Sequence, residues 1–531
     1  MYSLLIRGGL IVDGTGRPPY PGDVAVENGI IVAIDAEISD LAVQTIDATG
    51  LIISPGFIDI HSHADASIFR NPLSESKVLQ GVTTEIVGNC GIGLFPVDTK
   101  RVDMLIQYLL LHETSLPPEG ITWCDFNQYT DIIESNGLGV NFAPLVAHGT
   151  LRIAAMGMEA RQPEPIELAA MKAMLDSALE QGAWGLSSGL IYPPGSFAAS
   201  SELTCLAGVV ARYGSIFAAH IRNEGNNLLE AIREIIAIGQ ASNARVQISH
   251  LKAIGKANWG RGKTALELLA EARRQGVDVA ADMYPYEASS TSLTAIVPQW
   301  AMEGGSDALL RRLAERDDRE EISTGISREM SLRGGPASIM ITAVGMPGGK
   351  AFSGKTIADL AMEWRCGAED AVIKLLIMAE AVVSAVFFSL FPEEVSVIAV
   401  DKAVAVGSDG FGMNALRDGS VATHPRSYGT FPKFLAKYVR TDKLLNWEEA
   451  VYKMTGLPAA RLGFKRRGIL KSGNFADITV FDPLRVNDKA GYIECHNYSE
   501  GIEWVFVNGQ AVVKSGRITG NMPGKVLRRQ S

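Results

Sequence analysis

The chain has 531 residues, 47% hydrophobic and 20% charged, with a formal net charge of −10 at pH 7. This length is too great for one compact core and predicts a large domain with a smaller one. The acidic balance argues against a nucleic-acid surface and against binding to anionic membranes, and the absence of an 18-residue apolar run argues against a membrane span.

Both ends of the chain have the pattern of short strands separated by glycine turns. The first end contains "LLIRGGLIVDG" and "DVAVENGIIVAID", and the last contains "GNFADITVFDP" and "EWVFVNGQAVVKSG". We therefore expect residues 1–54 and 465–531 to pair into one small β-sandwich domain, with the rest of the chain inserted between them.

The N-terminus lacks a signal peptide's apolar core, and the five cysteines are widely scattered, which predicts a cytoplasmic protein without structural disulfides.

The segment 55–464 alternates short apolar runs with amphipathic helical patterns. After "SIFAAH", for example, the apolar residues Leu228, Ile232, Ile235 and Ile236 recur at helical spacing before the next strand, "ARVQISH". Parallel strands joined by helices give this rhythm, so the sequence predicts an α/β fold with a (βα)8 TIM-like barrel. The eight predicted strands are "GFIDIHSH", "VTTEIVGNC", "NFAPLVAHG", "AWGLSSGLI", "SIFAAH", "ARVQISH", "VDVAADMYPY" and "KAVAVGSDG".

The connection between the seventh and eighth predicted strands is several times longer than a typical βα connection. It contains a strand-like "SIMITAV" and helical patterns around 357–382. We expect residues 287–402 to form an inserted subdomain over the mouth of the barrel, where it could act as a lid.

Polar side chains follow the predicted strands at the barrel end where active sites lie. Taken singly, each has an ordinary explanation: a lone Cys is more often a small buried apolar residue, and an Asp before Gly is usually a turn residue. Their occurrence at the ends of five strands of one barrel favours a shared metal site. These residues are His61, His63, Cys90, His220, His250 and Asp409.

The chain resembles the D-aminoacylases (N-acyl-D-amino-acid deacylases) of the amidohydrolase superfamily. The matching stretches extend from the first to the last predicted strand. They are "PGFIDIHSHAD", "GVTTEIVGNCG", "GLSSGLIYPPGS", "AAHIRNEG", "QISHLKAIGKANWG", "DMYPYEASSTSL", "GSDG" and "HPRSYGTFPKFL".

This resemblance implies a zinc hydrolase. Cys90, His220 and His250 would form one tight zinc site, and His61 and His63, with Cys90 bridging, would form a second site that binds metal weakly or is optional. Hydantoinases and dihydroorotases bridge their metals with a carboxylated lysine from the fourth strand, but "GAWGLSSGLIY" contains no lysine. A Cys-His-His set leaves a zinc position open for water or substrate.

By the same resemblance, Asp409 is the general base that takes a proton from the attacking water and delivers it to the leaving amine. Lys252, Tyr284 and Arg426 are expected to bind the free carboxylate of the substrate, with Ser289 as a further candidate. Each also has an explanation without a substrate: Lys252 as a solvated loop lysine, Tyr284 as a packed aromatic residue and Arg426 as an anchor of its loop. An arginine can hold a carboxylate through two parallel hydrogen bonds.

The segment between Met283 and Leu310 contains no Lys or Arg and is mostly small or apolar. A second carboxylate on the substrate would need a cation, so the sequence predicts neutral or hydrophobic D-side chains, unless the insertion supplies a basic residue.

The sequence therefore predicts zinc-dependent hydrolysis of N-acyl-D-amino acids to a carboxylate and a D-amino acid. The alternatives are a cyclic amidase of the hydantoinase or dihydroorotase type and a non-catalytic scaffold of the same fold. The expected partner is the small-molecule substrate, with no nucleic acid and no membrane. The oligomeric state is not predicted by any of these patterns.

Overall fold

The computed structural model describes residues 1–112, 116–419 and 422–529. The strands are β1 (Tyr2–Ile11), β2 (Tyr20–Glu27), β3 (Ile30–Asp35), β4 (Ala42–Asp47), β5 (Ile52–Pro55), β6 (Phe57–Asp59), β7 (Val82–Val87), β8 (Asn141–Pro144), β9 (Val146–Ala147), β10 (Gly185–Gly189), β11 (Ile216–His220), β12 (Arg245–Ile248), β13 (Val279–Met283), β14 (Ser289–Ser292), β15 (Ile339–Val344), β16 (Val383–Phe387), β17 (Val404–Val406), β18 (Ile478–Phe481), β19 (Ile502–Val507), β20 (Gln510–Lys514) and β21 (Arg517–Ile518). The α-helices are α1 (Ser67–Arg70), α2 (Glu75–Val78), α3 (Val102–Leu111), α4 (Phe126–Asn136), α5 (His148–Met156), α6 (Pro165–Glu180), α7 (Ser200–Arg212), α8 (Leu228–Ser242), α9 (Arg261–Arg274), α10 (Ser306–Ala314), α11 (Arg316–Leu332), α12 (Ile357–Trp364), α13 (Ala368–Met378), α14 (Pro392–Val400), α15 (Ala415–Asp418), α16 (Arg426–Phe434), α17 (Trp447–Met454) and α18 (Gly456–Leu462).

The two ends of the chain share one mixed sheet. Its order is β21-β20-β19-β18-β5-β1-β2-β3, with β4 added alongside β1. The two ends meet where β18 pairs antiparallel with β5, Thr479 opposite Ser54. Alternating side chains of these strands, such as Leu4, Ile6 and Val480, are buried in a common apolar core, as the period of two in a strand requires. The boundaries 1–54 and 465–531, and a sandwich of two separate sheets, stay predictions.

The middle of the chain builds two parallel sheets. One has the order β6-β7-β8 and the other β9-β10-β11-β12-β13-β17. Strands such as β11 and β13 are buried along their whole length, as expected for parallel strands covered by helices, and α5 to α9 pack against one another in chain order. The predicted α/β class is confirmed by this alternation.

The two parallel sheets are neighbours along the chain. β8 and β9 are separated by Leu145 alone, and an isolated parallel bridge joins Ser62, after β6, to Gly410, after β17. Within the described ranges, however, no continuous ladder of hydrogen bonds runs around a closed ring of strands. The closed (βα)8 barrel over 55–464 therefore stays a prediction.

The segment between β13 and β17 folds around a core of its own. It contains the antiparallel sheet β14-β16-β15 and the helices α10 to α13. Its core includes Ile341 from the sheet and Ile322 and Leu376 from the helices. The range 287–402 predicted for an insertion stays a prediction, as does a lid function. None of the helices in the described parts of the chain is both long and apolar enough to cross a bilayer.

Candidate metal centre

The carboxyl ends of the parallel strands bring the predicted ligands together. His61 and His63 follow β6, Cys90 follows β7, and His220 is the last residue of β11. The same edge carries His250 after β12 and Asp409 after β17. The side chains of all six residues are buried or partly buried, and they converge because parallel strands end at one edge.

Cys90, His220 and His250 form the first set of donor atoms. The Sγ of Cys90 lies 3.4 Å from Nε2 of His250, which lies 2.8 Å from Nδ1 of His220. Their donor atoms all lie within 4.8 Å of one another. Burial alone would raise the pKa of the Cys90 thiol, but the neighbouring His61 and His250 hold it well below its ordinary value. A thiolate and two imidazoles are the donors that zinc prefers, so these residues fit a zinc ion.

A second set shares Cys90 and consists of His61, His63, Cys90 and Asp409. The Oδ1 of Asp409 lies 3.0 Å from Nε2 of His63 and 3.3 Å from Nε2 of His61. The Sγ of Cys90 lies 3.3 Å from Nε2 of His61. The two sets are thus adjacent through one sulfur, an arrangement that could hold two metal ions.

Three of these residues have a left-handed backbone conformation that is rare outside glycine. The φ angles are 55° at Cys90, 36° at His250 and 52° at Asp409. Such conformations cost on the order of 1–3 kcal/mol each and cluster at functional sites. Gly91 follows with φ 69°, and a Cβ there would lie 2.6 Å from the backbone nitrogen of Gly189. The turn after β7 thus combines a left-handed Cys90 with a position 91 that has no room for a side chain.

Two buried carboxylates orient the histidines from behind. Asp282 accepts from Nδ1 of His61 at 2.9 Å and from the backbone N–H of His250 at 2.8 Å. Glu224 lies 3.1 Å from Nδ1 of His250. Carboxylates in this position fix the tautomer and orientation of metal-binding histidines. Neither carboxylate is among the predicted site residues, although Glu224 lies in "AAHIRNEG" and Asp282 begins "DMYPY".

The residues predicted to bind a carboxylate line the same cavity as the metal ligands. They are Lys252, Tyr284, Arg426 and Ser289.

Arg426 donates to Oδ2 of Asp409 at 2.6 Å and to the backbone oxygen of Ser290 at 3.1 Å. Burial would raise the pKa of the Asp409 carboxyl, but Arg426 and the nearby histidines hold it well below its ordinary value. Asp409 is therefore ionised at neutral pH.

The ring of Tyr284 lies near both cations, with its centroid 5.0 Å from the Arg426 guanidinium and 5.7 Å from the Lys252 ammonium. Its hydroxyl is buried and has no hydrogen-bond partner within the part of the chain that the structure describes. A buried hydroxyl without a partner is costly, so this group is available to a ligand.

A buried lysine, Lys77, connects strand β6 to the loop after β17 beneath the metal centre. Nζ of Lys77 lies 2.7 Å from Oδ2 of Asp59 and 3.6 Å from Oε2 of Glu85, and it donates to Oγ of Ser408 at 2.6 Å. Lys77 is fully buried. This cluster ties the segment that carries His61 to the loop that carries Asp409, and no local sequence pattern indicated it.

The chain matches the model of the amidohydrolase family over residues 44–316 and 403–518. It is 36% identical to an N-acyl-D-glutamate deacylase of Alcaligenes xylosoxydans xylosoxydans over 100% of this chain and 97% of the relative. A crystal structure of N-acyl-D-glutamate deacylase from Bordetella bronchiseptica, complexed with zinc and a phosphonate inhibitor, is similar with a TM-score of 0.84, 35% identity and 99% coverage of both chains.

A D-aminoacylase structure described by its binuclear metal centre gives a TM-score of 0.82 with 32% identity and 100% coverage of both chains. The chain belongs to the amidohydrolase family, and within that family to the D-aminoacylases (N-acyl-D-amino-acid deacylases). The predicted resemblance is thereby confirmed.

Proposed function

We propose that this protein hydrolyses the amide bond of N-acyl-D-amino acids and releases a carboxylate and a free D-amino acid. The observation that carries the proposal is one cavity lined by the Cys90, His220 and His250 set together with Asp409 and Arg426. The relatives named above, which act on N-acyl-D-glutamate or are called D-aminoacylase, support the same reaction. The preference for D over L rests on these relatives.

Zinc is the cofactor that the donor set fits. When bound, zinc lowers the pKa of a coordinated water to about 7 and polarises a carbonyl oxygen. We assign one tight site to Cys90, His220 and His250 and a second, weak or optional site to His61 and His63 with the shared Cys90. The relative described by "one-metal activation and second-metal attenuation" supports this division.

Asp409 is the general base in this proposal. Its carboxylate is ionised, and Oδ1 faces His61 and His63 while Oδ2 is held by Arg426. It accepts the proton of the attacking water and delivers it to the leaving nitrogen, the same group acting first as base and then as acid. The contact with Arg426 fixes the carboxylate in one orientation.

The α-carboxylate of the substrate is bound by Arg426, Lys252 and the unpaired hydroxyl of Tyr284, and Ser289 lines the same cavity as a further candidate. An arginine and a lysine at fixed positions hold the carboxylate in one orientation, which directs the scissile amide toward the metal ligands.

Two alternatives are less well supported. A cyclic amidase of the hydantoinase type would need a bridging lysine, and β10, "GLSSG", has none. A non-catalytic scaffold gives no explanation for the costly left-handed backbone at three ligand positions, a feature that clusters at functional sites. A neutral or hydrophobic side chain on the substrate, a cytoplasmic location and the absence of nucleic-acid and membrane partners stay predictions from the sequence.

The test is amine release by the zinc-loaded protein from N-acetyl derivatives of D- and L-Leu, Met, Phe, Glu and Asp, with a hydantoin as the cyclic control. We expect hydrolysis of D-enantiomers only. Turnover of the hydantoin without hydrolysis of any N-acetyl-D-amino acid would replace this proposal with the cyclic amidase.

A further inference from the structure

Three cationic side chains of the described residues line the cavity of the metal centre, and two of them have close carboxylate partners. Nζ of Lys252 lies 2.5 Å from Glu224, and the Arg426 guanidinium lies 2.6 Å from Asp409. The third cation is Arg333, at the end of α11 in the segment between β13 and β17. The proposed mechanism gives Arg333 no role.

Arg333 has few interactions for a buried cation. The residue is 9% exposed, and its Nε has no hydrogen-bond partner in the parts of the chain that the structure covers. The carboxylate that it approaches, Glu329, lies 3.6 Å away and is itself partly exposed. The guanidinium lies 5.3 Å from the ring centroid of Phe387. A buried charge with an unused donor is unfavourable unless an anion can pair with it.

The position of Arg333 sets it apart from the residues assigned to the α-carboxylate. It lines the cavity of the metal centre and also a second cavity between the parallel strands and the insertion. Ile191, Tyr192 and Ile254 line both cavities, so Arg333 lies where one continues into the other. His112 and Glu224 line both cavities as well, but the Glu224 carboxylate is already paired with Lys252. A substrate side chain that extends in this direction therefore passes apolar residues and reaches the guanidinium of Arg333.

We propose that Arg333 binds a second carboxylate, on the side chain of the substrate, and that the preferred substrates are N-acyl derivatives of acidic D-amino acids. This inference rests on the proposed function and adds the substrate class to it. The guanidinium presents a planar fork that matches a carboxylate, whereas an amide or an alkyl side chain adds no negative charge to the distant one of Glu329.

This inference differs from the neutral side chain expected from residues 283–310, an expectation that held only if the insertion supplied no basic residue. That segment contributes Ser289 and its neighbours to the cavity wall, but the insertion contributes Phe387 and Arg333 to the same wall. The cation comes from the end of a helix that lies outside the segment on which the sequence argument depended.

The test compares N-acetyl-D-glutamate with N-acetyl-D-glutamine, which has the same shape without the charge. The zinc-loaded native protein should prefer the glutamate derivative in kcat/KM. In the Arg333→Met variant, kcat/KM for the glutamate derivative should fall about 100-fold, the value of a charge-assisted bidentate contact, while that for the glutamine derivative changes less than about threefold. Arg333→Lys should recover part of the loss.

The matched control is Arg328→Met, because Arg328 is exposed on the same helix and lines neither cavity. This variant should keep the native preference. Equal hydrolysis of both derivatives by the native protein, or an equal loss on both in Arg333→Met, would overturn the inference and leave the deacylase function standing. Hydrolysis of no N-acyl-D-amino acid by the native protein would overturn both.

Discussion

Lys252 and Glu224 form a buried ion pair in which Nζ and Oε1 lie 2.5 Å apart, and both contact Nδ1 of His250, at 2.7 Å and 3.1 Å respectively. Burial would raise the pKa of the Glu224 carboxyl, but Lys252 and the two histidines hold it far below its ordinary value. Glu224 is therefore ionised at neutral pH and contacts both a proposed zinc ligand and a proposed substrate-binding residue.

Replacing Glu224 with Gln should weaken both functions at once. Loss of a carboxylate behind a metal-binding histidine typically reduces metal affinity about 10–100-fold. The KM for N-acyl-D-amino acids should rise as well, because Lys252 loses the partner that orients it. Zinc competition against a chelator measures the first effect and initial rates measure the second.

The control for Glu224 is Glu230→Gln, an exposed position on α8. This variant should match the native protein in zinc affinity and in KM. Native zinc affinity and KM in Glu224→Gln would show that the carboxylate has no positioning role.

Asp409→Asn tests the general base. The amide keeps the shape of the side chain but cannot accept the proton, so kcat should fall about 10²–10⁴-fold, the usual contribution of a positioned acid or base. Zinc bound by Cys90, His220 and His250 should remain. The measurements are kcat and zinc content, with the exposed Asp442→Asn as the control. A variant with unchanged kcat would remove Asp409 from the chemistry.

Lys77→Met tests the buried cluster beneath the site. The substitution would leave Asp59 and Glu85 buried without their cation. Breaking a buried ion pair by removing one partner costs about 3–5 kcal/mol, so the midpoint of thermal unfolding should fall clearly. Lys172→Met, at an exposed position on α6, should not shift the midpoint. An unchanged midpoint in Lys77→Met would mean that the cluster contributes nothing to stability.

Much of the parallel-strand part of the fold could be predicted because its signals are local. Apolar runs such as that before His220, and the helical spacing from Leu228 to Ile236, match β11 and α8. A closed ring of parallel strands would depend on hydrogen bonds between segments hundreds of residues apart, which no local pattern records, and its closure stays a prediction. The interior of the segment between β13 and β17 was equally hard to predict, since its core depends on contacts among α10 to α13.

The predicted ligands lie together because strand ends in a parallel sheet share an edge, and this can be inferred from strand order alone. The positions of the residues that hydrogen-bond to these ligands cannot be inferred in this way. Glu224 and Asp282 are unremarkable acidic residues until the fold places them behind His250 and His61. Arg333 follows α11, and it lines the cavity only because of how the segment between β13 and β17 packs.

The most direct test of the central claim is a zinc titration of the metal-stripped protein, with hydrolysis of an N-acetyl-D-amino acid and its L-enantiomer as the readout. We predict that D-specific activity appears with the first equivalent of zinc and that Cys90→Ala neither binds that equivalent tightly nor becomes active. Cys124→Ala, at an exposed cysteine, should behave like the native protein. Full D-specific activity without zinc, or in zinc-loaded Cys90→Ala, would contradict the account.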